Sequence, residues 1–360
     1  MSLDYSQIES PGLIVYPNIV AKNIAYVLDL VDNNSDRLRP HIKTHKTQEV
    51  NEMMMRAGIY KFKCATIAEA ELLALSNAQD VLLSMQATGT TFSRLLQLIQ
   101  TYPDTLFSCL IDTIEVAEEI QKNCQKQNIQ LHVFIDLNVG MNRTGILPEN
   151  ASSLIQFIDS AHNLTLKGLH AYDGHIRDED IEARKQHAFS DLASFRKLVN
   201  ELDRKLELVV GGTPSFLVHC HNPMYVCSPG TFVFFDAGYA NLYPENSIGI
   251  AVEIIARIIS KPSPTTICLD LGHKSVAPEN PIYNRVRFIE HPEWNLLSQS
   301  EEHGIVEVGN HEKLYVGQVI RMVPYHICPT VALHQSLQVI ENETCTGFWE
   351  VKARNRKINI

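Results

Sequence analysis

Short runs of β-branched and apolar residues alternate along most of the chain with longer segments whose apolar positions recur every three or four residues. That is the pattern of βα units around a parallel sheet. From residue 39 onward the strand-like runs are 39–43, 61–65, 81–85, 106–111, 131–136, 166–171, 207–211 and 232–235. Most precede a helical stretch. Segment 67–78 is rich in Ala, Glu and Leu, and 113–127 places Val116, Ala117, Ile120 and Cys124 on one face. Eight strands in series predict an α/β fold closed as a (β/α)8 TIM barrel and not an open doubly wound sheet, because closure removes both edges. Ahead of them, 13–16 reads as an extra strand and 18–31 as a helix, and the first dozen residues could join either domain.

After Tyr243-Pro244-Glu245-Asn246 the texture changes. Runs 251–260, 266–272, 285–290, 304–308, 318–325, 330–341 and 348–353 read as strands with little helix signal between them, broken by turns such as Lys261-Pro262-Ser263-Pro264. The expected organisation is a barrel domain over residues 1–245 and an all-β C-terminal domain over 246–360.

Composition narrows the function. Hydrophobic residues make up 45% of the 360 positions, too many for a disordered chain, and 41 acidic against 31 basic side chains give a net charge of −10. Phosphate backbones are bound chiefly by Lys and Arg, so neither nucleic acid nor an anionic membrane surface is an expected partner. The start Met1-Ser2-Leu3-Asp4-Tyr5 lacks the basic and apolar parts of a signal peptide, and the most apolar stretch, 248–259, contains Glu253 and Arg257. Eight cysteines without a C-x-x-C pair read as reduced thiols, and a cytoplasmic protein acting on small molecules is the expectation.

Barrels carry their chemistry at the C-terminal ends of the strands. Here strand one ends in Arg39-Pro40-His41-Ile42-Lys43-Thr44-His45-Lys46. Strand five runs into Asp136-Leu137-Asn138-Val139-Gly140-Met141-Asn142-Arg143, strand six ends His170-Ala171-Tyr172-Asp173-Gly174-His175, and strand seven ends Gly211-Gly212-Thr213-Pro214-Ser215. A Gly-Gly pair alone would read as a turn. After strand seven, with Ser228-Pro229-Gly230-Thr231 leading into strand eight, it reads as a phosphate loop whose backbone N–H groups reach the oxygens. A phosphate site opposite a lysine at the end of strand one suggests pyridoxal phosphate (PLP). Lys43 or Lys46 could be that lysine or a surface residue, and the alternation His41-x-Lys43 favours an interior place for Lys43.

Residues 39–46 resemble the lysine signature of the D-threonine aldolase and D-serine dehydratase family, metal-dependent PLP enzymes related to alanine racemase. Further matches are Gly140-Met141-Asn142-Arg143-Thr144-Gly145, Tyr172-Asp173-Gly174-His175, Gly211-Gly212-Thr213-Pro214, Pro229-Gly230-Thr231-Phe232, Asp270-Leu271-Gly272-His273-Lys274, Ser300-Glu301-Glu302-His303-Gly304 and Pro324-Tyr325-His326-Ile327-Cys328-Pro329-Thr330. The resemblance spans nearly the whole chain and implies a PLP barrel followed by a β-domain. It makes Lys43 the Schiff-base lysine, places Arg143 and Tyr172 near the cofactor ring and in the catalytic set, and puts Gly211, Gly212, Thr213 and Gly230 at its phosphate. Val226 stands where relatives commonly have an acidic residue, so no cofactor role is carried there. Asp136 lies near the place of a modified lysine in alanine racemases, which weakens a plain racemase assignment.

His326 and Cys328, two apart in an expected strand end, would project to one side and offer imidazole and thiolate to Zn2+ (or Mn2+). Without the resemblance they would read as a core histidine beside a buried cysteine. His219-Cys220-His221 with Cys227 is the rival cluster. The implied activity is a lyase acting on a D-3-hydroxy amino acid. His-x-Cys is similar to the dehydratase pattern, while aldolases tend toward His-x-Asp, so elimination of water leads and retro-aldol cleavage to glycine and an aldehyde follows closely. A racemase or a non-catalytic PLP-binding protein stays open. Arg177, His175 or Tyr239 could recognise the substrate carboxylate, and the resemblance implies a homodimer.

Overall fold

The computed structural model describes residues 5, 8–244, 246–310 and 312–360. The opening segment Met1–Asp4 and Glu245 of the expected break lie outside the described residues. The chain divides into two compact units. One comprises Val27–Lys43, Asn51–Gly230 and Asn355–Ile360, and the other Met1–Tyr26, Thr44–Val50 and Thr231–Arg354.

The first unit is the barrel. Seven parallel strands follow one another in sequence order: Lys61–Cys64, Asp80–Gln86, Leu106–Ile111, Leu131–Leu137, Leu164–Ala171, Glu207–Val210 and Tyr225–Cys227. Closure comes from the segment expected as strand one. It forms no regular strand, because Pro40 has no N–H to donate to a ladder. Instead Leu38 bridges Cys227 and His41 bridges Lys63, both in parallel sense. Arg39 N donates to Cys227 O and His41 N to Pro229 O, each at 2.9 Å, while Pro40 O accepts from Lys63 N at 2.8 Å. This short stave is the eighth.

Two expectations around the last strand are corrected. The apolar run 232–235 is not strand eight. Thr231–Val233 is a 3-10 turn whose side chains are all buried, so burial and not sheet pairing explains its apolar character. Strand eight is Tyr225–Cys227, ended by Ser228-Pro229. Gly230 therefore lies after strand eight, at the barrel end where ligands bind, and not before it.

Helices begin where the sequence offers caps. Thr66 accepts from Glu69 N at 3.1 Å ahead of Ile67–Leu75, and Thr113 accepts from Val116 N ahead of Ile114–Gln127. Asn128 closes the latter with a left-handed φ of 52°. No helix among the described residues is long and apolar enough to cross a membrane.

The second unit is mostly β. Strands Asn295–Gln299, Gly304–Glu307, Thr266–Leu269, Val252–Ser263, Gly12–Val15, Ser336–Glu341 and Thr344–Glu350 lie side by side in that order, with Val319–Pro324 joining Val252–Ser263 to Val286–Phe288. Gly12–Val15 enters between two C-terminal strands, antiparallel to one (Leu13 opposite Ile254) and parallel to the other (Leu13 opposite Leu337). Its Ile14 packs with Ile8, Ile255 and Ile340 in one buried cluster. The run 330–341 splits into a helix, Ile327–Leu333, and the strand Ser336–Glu341. Run 348–353 likewise divides between Thr344–Glu350 and the 3-10 turn Lys352–Asn355.

The barrel floor is ionic. Arg39, wholly buried, donates Nη1 and Nη2 to the two carboxylate oxygens of Asp80 at 2.9 Å each and Nε to Glu207 at 2.8 Å, while Lys167 also reaches Asp80. Burial alone would raise the Asp80 carboxyl, but Arg39 and Lys167 outweigh it and hold it at about 2. Asp80→Asn leaves the guanidinium under-paired and is expected to destabilise the chain by about 3–5 kcal/mol, read from the urea midpoint. Because the folded carboxyl titrates below its ordinary value of 3.8, its stabilisation is complete above about pH 4 and is lost as pH falls toward 2. The variant should lack that part of the acid-unfolding profile.

Candidate active site

Every second residue of a strand points to the barrel axis, so the interior fills in layers. Above the ionic floor, Leu82, Leu110, Phe134, Val209 and Val226 form one apolar cluster. Val226 thus serves the core, in keeping with the absence of a carried cofactor role. Above that plug opens a cavity of about 500 Å3, lined by His41, Lys43, Lys63, Asp136, Arg143, His170 and Tyr172 among others.

Lys43 reaches it from the 3-10 turn Ile42–Thr44 that ends the short stave. Its backbone N donates to His41 Nδ1 at 3.3 Å, and His41 Nε2 lies 3.3 Å from Ser84 Oγ. Lys46 is absent from the lining and adopts a left-handed φ of 55°. The Tyr172 ring is the common neighbour of three cations: Lys43 Nζ at 5.9 Å from its centroid, Lys63 Nζ at 5.5 Å and Arg143 Cζ at 5.0 Å.

Lys63 and His170 were not among the sequence candidates for the site. Lys63 is 2% exposed, and its Nζ lies 3.3 Å from His170 Nε2. His170 Nδ1 faces Asp136 Oδ1 at 2.7 Å, and Asp136 Oδ2 accepts from Thr144 Oγ1 at 2.8 Å. Burial and the neighbouring Lys43 push the Lys63 ammonium down to about 7, against the pull of Asp136. Burial and Lys63 likewise lower His170, while the His170 hydrogen bond keeps Asp136 below the usual carboxylate range in spite of its burial. The available signal was a lysine at an inward position of an apolar strand run.

The loops after strands seven and eight meet. Gly230 N donates to Thr213 Oγ1 at 3.0 Å. Gly211 has a φ of 74°, and a Cβ on Gly212 would come within 2.7 Å of the Tyr172 ring, so only glycine allows this close approach. Asp173, fully buried, accepts from Ser215 Oγ at 2.5 Å and lies 2.6 Å from His219 Nε2. This occupies His219, the first member of the rival metal cluster. Burial and Cys220 push the Cys227 thiol up to about 12, unlike a ligating thiolate. Of the carboxylate candidates, Arg177 is exposed, His175 pairs with Asp191, and Tyr239 stacks on Phe235 and Tyr243.

In the other unit His326 and Cys328 do come together, although not on a strand. His326 is the extended residue that starts the helix Ile327–Leu333, and Cys328 lies in its first turn. Cys328 Sγ sits 3.1 Å from Thr44 Oγ1 and 3.4 Å from Thr231 Oγ1, and His326 Nδ1 lies 2.7 Å from Glu279 Oε1. Burial opposes both charges, yet a mutual hydrogen bond raises His326 to about 9 and lowers Cys328. An imidazole oriented by a carboxylate beside a thiol inclined to ionise is a donor set suited to Zn2+. All eight cysteines are free.

In comparisons with known proteins, residues 17–238 match the family model "Alanine racemase, N-terminal domain" and residues 251–340 match "Putative serine dehydratase domain". The chain is 26% identical over 364 residues to a D-threonine aldolase of Arthrobacter sp, covering 97% of this chain and 93% of that one. It is 21% identical over 370 residues to a D-threo-3-hydroxyaspartate dehydratase of Delftia sp., covering 95% and 97%. The crystal structure of D-threonine aldolase from Filomicrobium marinum has a TM-score of 0.90 at 24% identity, over 99% of this chain and 98% of that one, a likeness of fold.

The Lys63 amine yields a prediction for the cofactor-free protein. With 15N-labelled lysine, one side-chain resonance is expected to titrate near pH 7 and to vanish in Lys63→Met. Since the folded value lies below the ordinary 10.5, the unfolded chain binds more protons between the two, and Lys63 makes stability rise with pH across that range. Lys63→Met should flatten this rise in urea unfolding.

Proposed function

The chain belongs to the alanine racemase N-terminal domain family, on the branch of the D-threonine aldolases and D-serine dehydratases, and from this premise we propose that it is a PLP- and divalent-metal-dependent lyase that eliminates water from a D-3-hydroxy amino acid to give a keto acid and ammonia. The family is PLP-dependent. The residues present fit that cofactor: Lys43 would supply the amine, Arg143 and Tyr172, which line the cavity with it, would hold the ring, and Gly211, Gly212, Thr213 and Gly230 in the adjoining loops would hold the phosphate. When bound, PLP supplies an electron sink for negative charge developing at Cα. His326 and Cys328 would hold a Zn2+ or Mn2+ ion, which would supply Lewis acidity toward an oxygen leaving group.

The chain's own groups divide the remaining work. Lys43 is the amine that moves the Cα proton. Lys63, inclined to neutrality, accepts or returns a proton within the same cavity, and the pair His170–Asp136 holds its Nζ in place. Arg143, Lys43 and Lys63 together attract an anionic ligand despite the net charge of −10. The observation that carries elimination over cleavage is the thiol of Cys328 beside His326, similar to the dehydratase pattern. The aldolase reading has support of its own in the 26% identity to a D-threonine aldolase, against 21% to the dehydratase. The proposal includes the homodimer that the family resemblance implies and the cytoplasmic location that the scattered cysteines suggest.

Purified protein reconstituted with PLP and Zn2+ or Mn2+ and given D-serine, D-threonine or D-3-hydroxyaspartate should release a 2-keto acid and ammonia. Glycine with an aldehyde would establish the second reading instead. Lys43→Ala should abolish the visible absorbance of bound cofactor. Cys328→Ser should lower turnover at least about 100-fold and reduce metal content, since Lewis-acid stabilisation is worth several kcal/mol and each 1.4 kcal/mol is tenfold in rate.

A further inference from the structure

Outside the cavity, one cluster in the barrel unit has metal-ligand chemistry and no part in the reading above. His187 and Asp191 are four apart on the helix Ile181–Asp191, so they project from one face, and His175 approaches from the loop that follows the strand Leu164–Ala171. One ligand atom from each residue lies within 4.8 Å of the others. Asp191 Oδ2 is 2.7 Å from His175 Nε2 and 3.5 Å from His187 Nε2.

We propose that His175, His187 and Asp191 form a second divalent-cation site, of zinc type, that clamps the loop presenting Tyr172 to the helix Ile181–Asp191. Zinc bonds of about 2.0–2.1 Å in tetrahedral array set neighbouring donors roughly 3.4 Å apart. The observed separations straddle that value, and side-chain shifts of about an ångström would close the shell. The set of two imidazoles and one carboxylate leaves a fourth position for water.

One further observation points to a ligand. His187 Nδ1 lies 2.8 Å from Asp178 Oδ2, and a carboxylate accepting from Nδ1–H turns the Nε2 lone pair of the neutral ring toward Asp191. That carboxylate–histidine pairing is how zinc sites orient an imidazole. His175, by contrast, has a buried Nδ1 with no hydrogen-bond partner, so its Nε2 contact with Asp191 is what orients the ring. The three side chains are 21–40% exposed, enough for an ion to enter.

The placement explains what the ion would do. Gly140, at a φ of 106°, passes so close that a Cβ there would lie 2.7 Å from Asp191 Oδ2 and 3.0 Å from His175 Nε2. Gly140 begins the turn that carries Arg143, and His175 stands three residues after Tyr172. A bound cation would tie the His175 loop to the helix without touching the reacting atoms and fix the two side chains against which Gly140 packs, so its role is positioning.

The test uses Zn2+ itself as probe. Full-length protein carrying His326→Ala and Cys328→Ser, stripped by chelator, is expected to bind one Zn2+ in a calorimetric titration with a rise in melting temperature. Asp178→Asn should weaken that binding about 10–100-fold, and His187→Ala should remove it. No binding, or binding unchanged by both His187→Ala and Asp191→Ala, would show a hydrogen-bonded cluster only and overturn the proposal. If the double variant does not fold, Co2+ is titrated into the otherwise native chain. A site without sulfur contributes d–d absorption lacking thiolate charge transfer, and that component must disappear in His187→Ala. Its absence, or its persistence in the variant, overturns the proposal equally.

Discussion

The barrel depends on one buried guanidinium. The stave that closes it is only a few residues long, has a proline at its centre and keeps just two bridges to its neighbours, at Leu38 and His41. Such a segment specifies its register weakly through backbone pairing, and a slip of one residue would turn each of its side chains to the other face. Arg39 prevents this. Its forked contact with Asp80 and its bond to Glu207 attach the stave to the first residues of two other strands, at 0% exposure. The guanidinium is planar and can satisfy both carboxylates only from one position. Fixing Arg39 at the floor sets His41, two residues on along the same face, in the cavity lining, and the 3-10 turn Ile42–Thr44 that follows brings Lys43 into it. A residue outside the cavity lining thus decides where the Lys43 amine stands.

How much of this was legible in the sequence follows from the same alternation. Six of the strands from 61 to 211 were recoverable because a strand buried on both faces is a continuous apolar run bounded by turns and caps. The run 232–235 failed the rule because burial in a turn and burial in a sheet give the same composition, and Tyr225–Cys227 was too short to show a period. The strand Asn295–Gln299 was missed because only Leu296 within it is buried. At the site, Lys43, Arg143, Tyr172 and the glycines stood at strand ends that could be counted. Lys63 and His170 could not be ranked the same way, since what distinguishes them is mutual: a 3.3 Å contact between residues 107 apart, shielded from water. His326 and Cys328 lie side by side as their spacing suggested, but on an N-terminal helix turn in place of the expected strand end.

The layers also resolve an apparent conflict between global and local charge. An acidic chain with net charge −10 presents Lys43, Lys63 and Arg143 around one aromatic ring. Surface carboxylates cannot neutralise these groups at a distance, because water and salt screen them within about 10 Å. Inside the barrel the balance is set by neighbours alone. Asp136 is committed to His170 and Thr144, which leaves less of its charge for Lys63, and the apolar plug beneath offers no solvation. The lysine therefore yields its proton readily, whereas Arg39, two layers below, keeps its charge through two carboxylates. The same axis holds one cation permanently charged at the floor and another inclined to neutrality in the cavity. Two things separate them: the greater intrinsic basicity of a guanidinium, and the two carboxylates that Arg39 has within hydrogen-bonding reach while Lys63 is buried beside Lys43.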